Sequence, residues 1–72
     1  GLVRAIDFKT GRQVPQDERG VPVPHLRQMA HYRAALQTIF PASRIEVSLL
    51  FTHAPHFITL SDAILAPYYP AS

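Results

Sequence analysis

Between Pro24 and Phe40 the apolar residues recur at the spacing of one helix face, and that face is wide. Leu26, Met29, Ala30, Leu36 and Phe40 make one stripe. Gln28, Tyr32, Ala35 and Ile39 make a second beside it, at steps of four, three and four. Arg27, His31, Ala34, Gln37 and Thr38 fall toward solvent. A buried face of this breadth suits a helix laid on a sheet. Pro24 fits the first turn, where its missing N–H costs nothing. Pro41 ends the helix, because the residue before a proline avoids helical geometry. Gln28 and Tyr32, one turn apart, are the polar members of the flank and reach the same spot.

Strands lie on both sides of this helix. Val3 to Thr10 reads as a strand, with Val3, Ala5, Asp7 and Lys9 on one face and Leu2, Arg4, Ile6 and Phe8 on the other. Arg44 to Thr52 alternates more cleanly, and Ile45, Val47, Leu49 and Phe51 should face the core. Phe57 to Leu60 is a shorter strand, paired with it as a hairpin around His53-Ala54-Pro55-His56. Ser61 reads as an N-cap for a short helix, Asp62 to Leu65, with Asp62 at the positive end of its dipole and Pro67 beyond. Thr10 to Val23 holds Gly11, Pro15, Gly20 and Pro22 without a hydrophobic period, so it is a long loop. The expectation is an α/β fold, strand-loop-helix-strand-strand-short helix, with the helix packed on a mixed sheet. It occupies residues 1–66, and 67–72, with Tyr68-Tyr69-Pro70, form a loosely held tail.

Seventy-two residues make one small domain. There is no cysteine to staple it, and the four histidines lack metal-site spacing. Such a chain has an efficient core, oligomerises, or is a piece of something larger. Its abrupt start inside a strand favours the last. His53 and His56 flank a turn that could bring them together as a metal site, but the sequence shows no cysteine or third ligand, and surface exposure is the default for them and for His25 and His31. No apolar run reaches the roughly 20 residues of a transmembrane helix. A net charge of +2 and a pI near 9.5 are compatible with nucleic acid without demanding it. The absence of cysteine permits a reducing cytoplasm.

Asp7 and Lys9 are the candidate catalytic pair. Lys9 is the only lysine in the chain, and it shares a strand face with a carboxylate two residues earlier. An acid and an amine so placed hold a metal ion and a water side by side. On an exposed strand the same pair is a solvated ion pair of little worth. Arg12 and Arg19, on the long loop, are candidates to meet a phosphate backbone.

The stretch Ile6-Asp7-Phe8-Lys9-Thr10 resembles the D-Y-K-T strand end of RecB-type nuclease domains of the PD-(D/E)xK superfamily. Leu26-Arg27-Gln28-Met29-Ala30-His31-Tyr32 is similar to that family's glutamine-x-x-x-tyrosine helix. Ala34-Ala35-Leu36, the strand Val47-Ser48-Leu49-Leu50-Phe51-Thr52 and the strand Phe57-Ile58-Thr59-Leu60 resemble the C-terminal end of the AddA branch, alphaproteobacterial in type. AddA proteins are helicase-nuclease subunits of bacterial double-strand-break repair. The likeness runs from Val3 to about Leu65.

The resemblance implies the C-terminal half of a restriction-endonuclease-like core. It implies that Asp7 is the second metal-binding carboxylate, Lys9 the catalytic lysine and the main-chain carbonyl of Phe8 a further metal ligand. Gln28 and Tyr32 would support the site and approach DNA. The metal would be Mg²⁺, with Mn²⁺ as a substitute, and ATP would serve only the helicase part of the parent. The partners would be DNA and an AddB-like subunit, in the bacterial cytoplasm, with no membrane. Asp7 and Lys9 should project together into a pocket roofed by the Gln28–Tyr32 turn. The family also needs a carboxylate on a preceding strand. Asp17, Glu18, Glu46 and Asp62 do not stand in that position, and the first two read as solvated. The chain alone is therefore expected to be inactive, with an open sheet edge that promotes self-association. The alternative is a non-catalytic α/β module for binding DNA or protein, in which Asp7 and Lys9 form only an ion pair.

Overall fold

The structure, a computed structural model, describes residues 1–71. Strand β1 (Leu2–Lys9) lies parallel to β2 (Arg44–Phe51), and β2 pairs antiparallel with β3 (His56–Leu60), giving the order β1-β2-β3. Helix α1 (Val23–Ile39) makes the crossover between the parallel strands, and α2 (Asp62–Leu65) follows β3. The register sets Asp7 beside Leu49 and Lys9 beside Phe51, then Leu49 beside Ile58. This is a small α/β fold with a three-stranded mixed sheet and two helices. None of the described helices is long and apolar enough to cross a membrane.

The core lies between one sheet face and α1. Val47, Leu49 and Phe51 of β2 pack with Leu26, Met29 and Ala30 of α1, with Ile58 and Leu60 of β3, and with Leu65 of α2. Met29, Val47, Leu49 and Leu65 are fully enclosed. The alternation expected in β1 is realised: Val3, Ala5, Asp7 and Lys9 are half-buried, while Leu2, Arg4, Ile6 and Phe8 are exposed. On the outer sheet face Arg4 meets Glu46 at 3.4 Å, and the hydroxyls of Ser48 and Thr59 are 3.0 Å apart. Leu2, Ile6, Phe8 and Phe57 stand open on that face.

Helix α1 is rotated from the expected placement. The stripe of Gln28, Tyr32, Ala35 and Ile39 faces out, with Ile39 65% exposed, and Phe40 is exposed as well. Arg33, Ala34 and Gln37 turn partly inward instead. The cause is the C-terminal segment, which packs on that side of α1. Arg33 Nη1 donates to the Tyr69 hydroxyl at 3.0 Å, and that hydroxyl donates to Asp62 Oδ1 at 2.7 Å. Arg27 and Arg33 lie over the Tyr68 and Tyr69 rings at 6.0 and 5.7 Å. The expected loose tail is thus packed against α1 as far as Tyr69, through a 3-10 turn over Ala66–Tyr68. Ser72, also assigned to that tail, lies outside the described residues.

The connection from 10 to 23 is tied down too. Its 3-10 turn, Glu18–Gly20, is capped by Asp17, and Val21 enters the core. Glu18, expected to be solvated, accepts from Ser61 N–H at 2.7 Å and from Ser61 Oγ–H at 3.0 Å. Ser61 Oγ in turn accepts from Ile64 N–H at 3.2 Å, so it caps α2 as expected.

Candidate functional site

Parallel pairing of β1 with β2 brings the C-terminal end of β1 beneath the first turns of α1, the end of an α/β sheet at which ligands are usually bound. There Lys9 Nζ lies 2.6 Å from Asp7 Oδ2 and donates to Gln28 Oε1 at 2.9 Å. The two β1 side chains share a face because they are two apart, and α1 lowers Gln28 onto that face. Asp7 Oδ2 is sealed from solvent, and among the described residues no donor reaches it in hydrogen-bonding alignment. Its short contact with Lys9 is an ion pair of charges, not an aligned hydrogen bond. A carboxylate oxygen left that way is under-satisfied, and a cation or a better-placed donor would relieve it.

The Phe8 carbonyl follows from the ladder. Gly1 and Lys9 direct their carbonyls to β2, where the N–H groups of Arg44 and Thr52 donate at 2.9 Å each. Backbone direction alternates along a strand, so Leu2, Arg4, Ile6 and Phe8 turn their N–H and C=O groups to the open edge. The Phe8 carbonyl therefore faces away from β2, adjacent in sequence to the Asp7 carboxylate.

His25 joins this group, although the sequence offered no reason to single it out beyond its i, i+3 spacing from Gln28. Burial pushes its imidazole below the ordinary 6.5, and the Lys9 charge pushes the same way, against the Asp7 carboxylate. Tyr32, on the same flank as Gln28, is 47% exposed, and its hydroxyl makes no hydrogen bond among the described residues. The roof over the pair is thus Gln28 without Tyr32. Lys9 closes the contact between Asp7 and Gln28, and hollows lie elsewhere, along Arg33 and Tyr69, beside Pro15, and between Arg44 and Asp62.

No family model, curated protein or solved structure matches the chain.

The remaining candidates stand apart from this group. Arg12 is exposed on the connection. Arg19 is held by Asp17, which accepts from its backbone N–H at 2.9 Å and its guanidinium at 3.0 Å, and the guanidinium keeps the Asp17 carboxyl below its usual range. His56 Nε2 donates to the Gln16 carbonyl at 2.8 Å, which turns that ring toward the connection. Among the described residues no three His, Cys, Asp or Glu side chains converge as metal ligands. The donors at the end of β1 are one carboxylate and one outward carbonyl, both hard oxygen ligands of the kind Mg²⁺ and Mn²⁺ take.

Proposed function

We propose that this chain is part of a Mg²⁺-dependent DNA nuclease domain of the PD-(D/E)xK type, from an AddA-like helicase-nuclease of bacterial recombinational repair. The observation that carries the reading is the meeting of Asp7, Lys9 and Gln28 at the end of one strand. In this reading Asp7 and the Phe8 carbonyl hold the metal, which when bound would polarise the scissile phosphate and acidify a water. Lys9 orients the attacking water and offsets charge developing on the phosphate. Gln28 keeps the lysine amine directed at that spot, and Tyr32, free on the outward flank, is available to the DNA.

The reading also says what this chain lacks. Glu46 is paired with Arg4, Asp17 with Arg19, Glu18 with Ser61 and Asp62 with Tyr69. A second metal-binding carboxylate must therefore come from outside these 72 residues, and the chain alone should not cleave DNA. The test joins the chain to the sequence encoded upstream of it and measures Mg²⁺-dependent degradation of linear DNA. Loss of activity in both Asp7→Ala and Lys9→Ala supports the assignment. Unchanged activity in either variant, or no activity in the extended protein, rejects it.

One observation favours a non-catalytic module for DNA or protein instead. Lys9 already spans Asp7 and Gln28 in a closed contact, which a purely structural ion pair would also make. Mg²⁺ titration followed by NMR separates the two readings, since a structural pair leaves the Asp7 and Phe8 signals unmoved.

A further inference from the structure

We propose that Arg12 grips a phosphate of bound DNA next to the one being cut. The inference rests on the nuclease reading and adds to it a residue that holds the substrate backbone.

The chain leaves β1 at the end that carries Asp7 and Lys9. The connection that follows is pinned close to that point on both sides. The Lys9 carbonyl accepts from the Thr52 N–H at 2.9 Å and from the Thr52 hydroxyl at 3.3 Å. Val14 packs against the core, and the Gln16 carbonyl meets His56 Nε2 at 2.8 Å. Thr10, Gly11, Arg12 and Gln13 stand exposed between these anchors. Arg12 is three residues from Lys9, so their Cα atoms lie at most about 11 Å apart. An arch this short keeps the guanidinium beside the Asp7–Lys9 pair.

Charge pairing distinguishes Arg12 from the other cations. Arg4 is paired with Glu46, Lys9 with Asp7, Arg19 with Asp17 and Arg33 with Asp62. Arg27 lies over the Tyr68 ring. Arg12 and Arg44 remain, and among the described residues no carboxylate pairs with either. Arg44 stands beside Leu2, whereas Lys9 stands beside Phe51 at the other end of the sheet. The length of β1 separates those ends, about 23 Å. Asp17 and Glu18, the acids of the connection, are held by Arg19 and Ser61 and do not neutralise Arg12. Among the described residues, then, Arg12 is the cation at the site end of the sheet that neither an acid nor a ring engages.

A phosphodiester backbone suits such a group. The planar fork of a guanidinium matches two phosphate oxygens, and it is more weakly hydrated than an ammonium. Release of the counterions of DNA adds a favourable, salt-dependent contribution. In the nuclease reading the scissile phosphate lies at Asp7 and Lys9. Arg12, a short arch away, meets a neighbouring phosphate and so fixes the position of the strand over Lys9. Contacts of this kind set register and carry no base preference.

The experiment uses the chain joined to its upstream sequence. Binding of a labelled DNA duplex is followed by anisotropy without Mg²⁺ across a salt series, and cleavage is measured separately with Mg²⁺. Arg12→Gln should weaken binding about tenfold, and it should lower the slope of log affinity against log salt by about one. It should raise KM and leave kcat in place. Arg12→Lys keeps the charge and should keep the slope, and Arg44→Gln should leave binding and cleavage as they are. An unchanged slope and KM in Arg12→Gln, with cleavage still abolished by Asp7→Ala, overturns the proposal and leaves the nuclease reading standing. An equal loss in Arg44→Gln also overturns it, because the effect then belongs to net charge. An extended protein that binds DNA but cleaves none with Mg²⁺ removes both, since the phosphate at Arg12 would adjoin no cut.

Discussion

Lys9 Nζ donates to Gln28 Oε1 at 2.9 Å, joining the end of β1 to the first turns of α1 across 19 positions of sequence. The same amine is the counter-charge of Asp7, so it holds together a strand, a helix and an enclosed carboxylate oxygen. Its two roles differ in worth. Gln28→Ala removes one acceptor from a largely buried amine and should lower stability by about 1 kcal/mol. Lys9→Met leaves Asp7 Oδ2 enclosed without a counter-charge and should cost more, about 2 kcal/mol, tempered because 32% of the Asp7 side chain remains exposed. Urea midpoints of the two variants give the order. A Gln28 variant as damaging as the Lys9 variant would contradict this account.

Glu18 and Ser61 make the second long-range tie. Both carboxylate oxygens of Glu18 are used, one on the Ser61 amide and one on its hydroxyl. Ser61→Ala loses the cap on Ile64 and half of the Glu18 contact, and should cost about 1–2 kcal/mol. Glu18→Ala leaves the cap in place but strands the Ser61 amide, and should cost about 1 kcal/mol. The double variant should fall short of the sum, because both changes act on one network. Additive losses would show that the two residues are not coupled.

His25 reports on the Asp7–Lys9 pair without any metal or DNA. Its folded pKa lies below 6.5, so the folded state binds fewer protons than the unfolded chain between the folded value and 6.5. Stability should therefore rise with pH through that window, and fall as acid charges the imidazole. Removal of one neighbour shifts the midpoint in a set direction. Lys9→Met should raise it and Asp7→Asn should lower it, as read by the His25 ring protons. Variants that leave the midpoint where it was would place His25 out of range of both.

Much of this arrangement is legible in the sequence, and what is not has a common cause. The alternation of Val3, Ala5, Asp7 and Lys9 is a period of two, local to the strand, and the structure reproduces it. The hairpin and the Ser61 cap are local for the same reason. The rotation of α1 is not local. Tyr32 and Ile39 match the helical period as well as Leu26 and Met29 do, and only the docking of Tyr69 and Asp62 on the Arg33 side decides which stripe is buried. Glu18 shows the same thing on a loop: its partner stands 43 positions away, and composition around it suggests only solvent.

Tyr69 offers the last test, at the other end of the pH scale. Burial raises its phenol above the ordinary 10.0, and the hydrogen bond it donates to Asp62 raises it further, against the opposing charge of Arg33. An ionised phenolate could not donate to Asp62 and would sit beside its carboxylate. The folded state thus keeps a proton that the unfolded chain releases near pH 10. The contribution is fully present below that pH and is lost as pH rises through the higher folded value. Tyr69→Phe should cost about 1 kcal/mol at neutral pH by removing the hydroxyl between Arg33 and Asp62. It should also flatten the alkaline fall in stability, because the group that titrates is gone. Phenolate absorbance against pH, compared between the wild-type chain and the variant, isolates this ring from the other two tyrosines. An alkaline fall of equal steepness in both proteins would assign it to another group and remove Tyr69 as the clasp of the C-terminal segment.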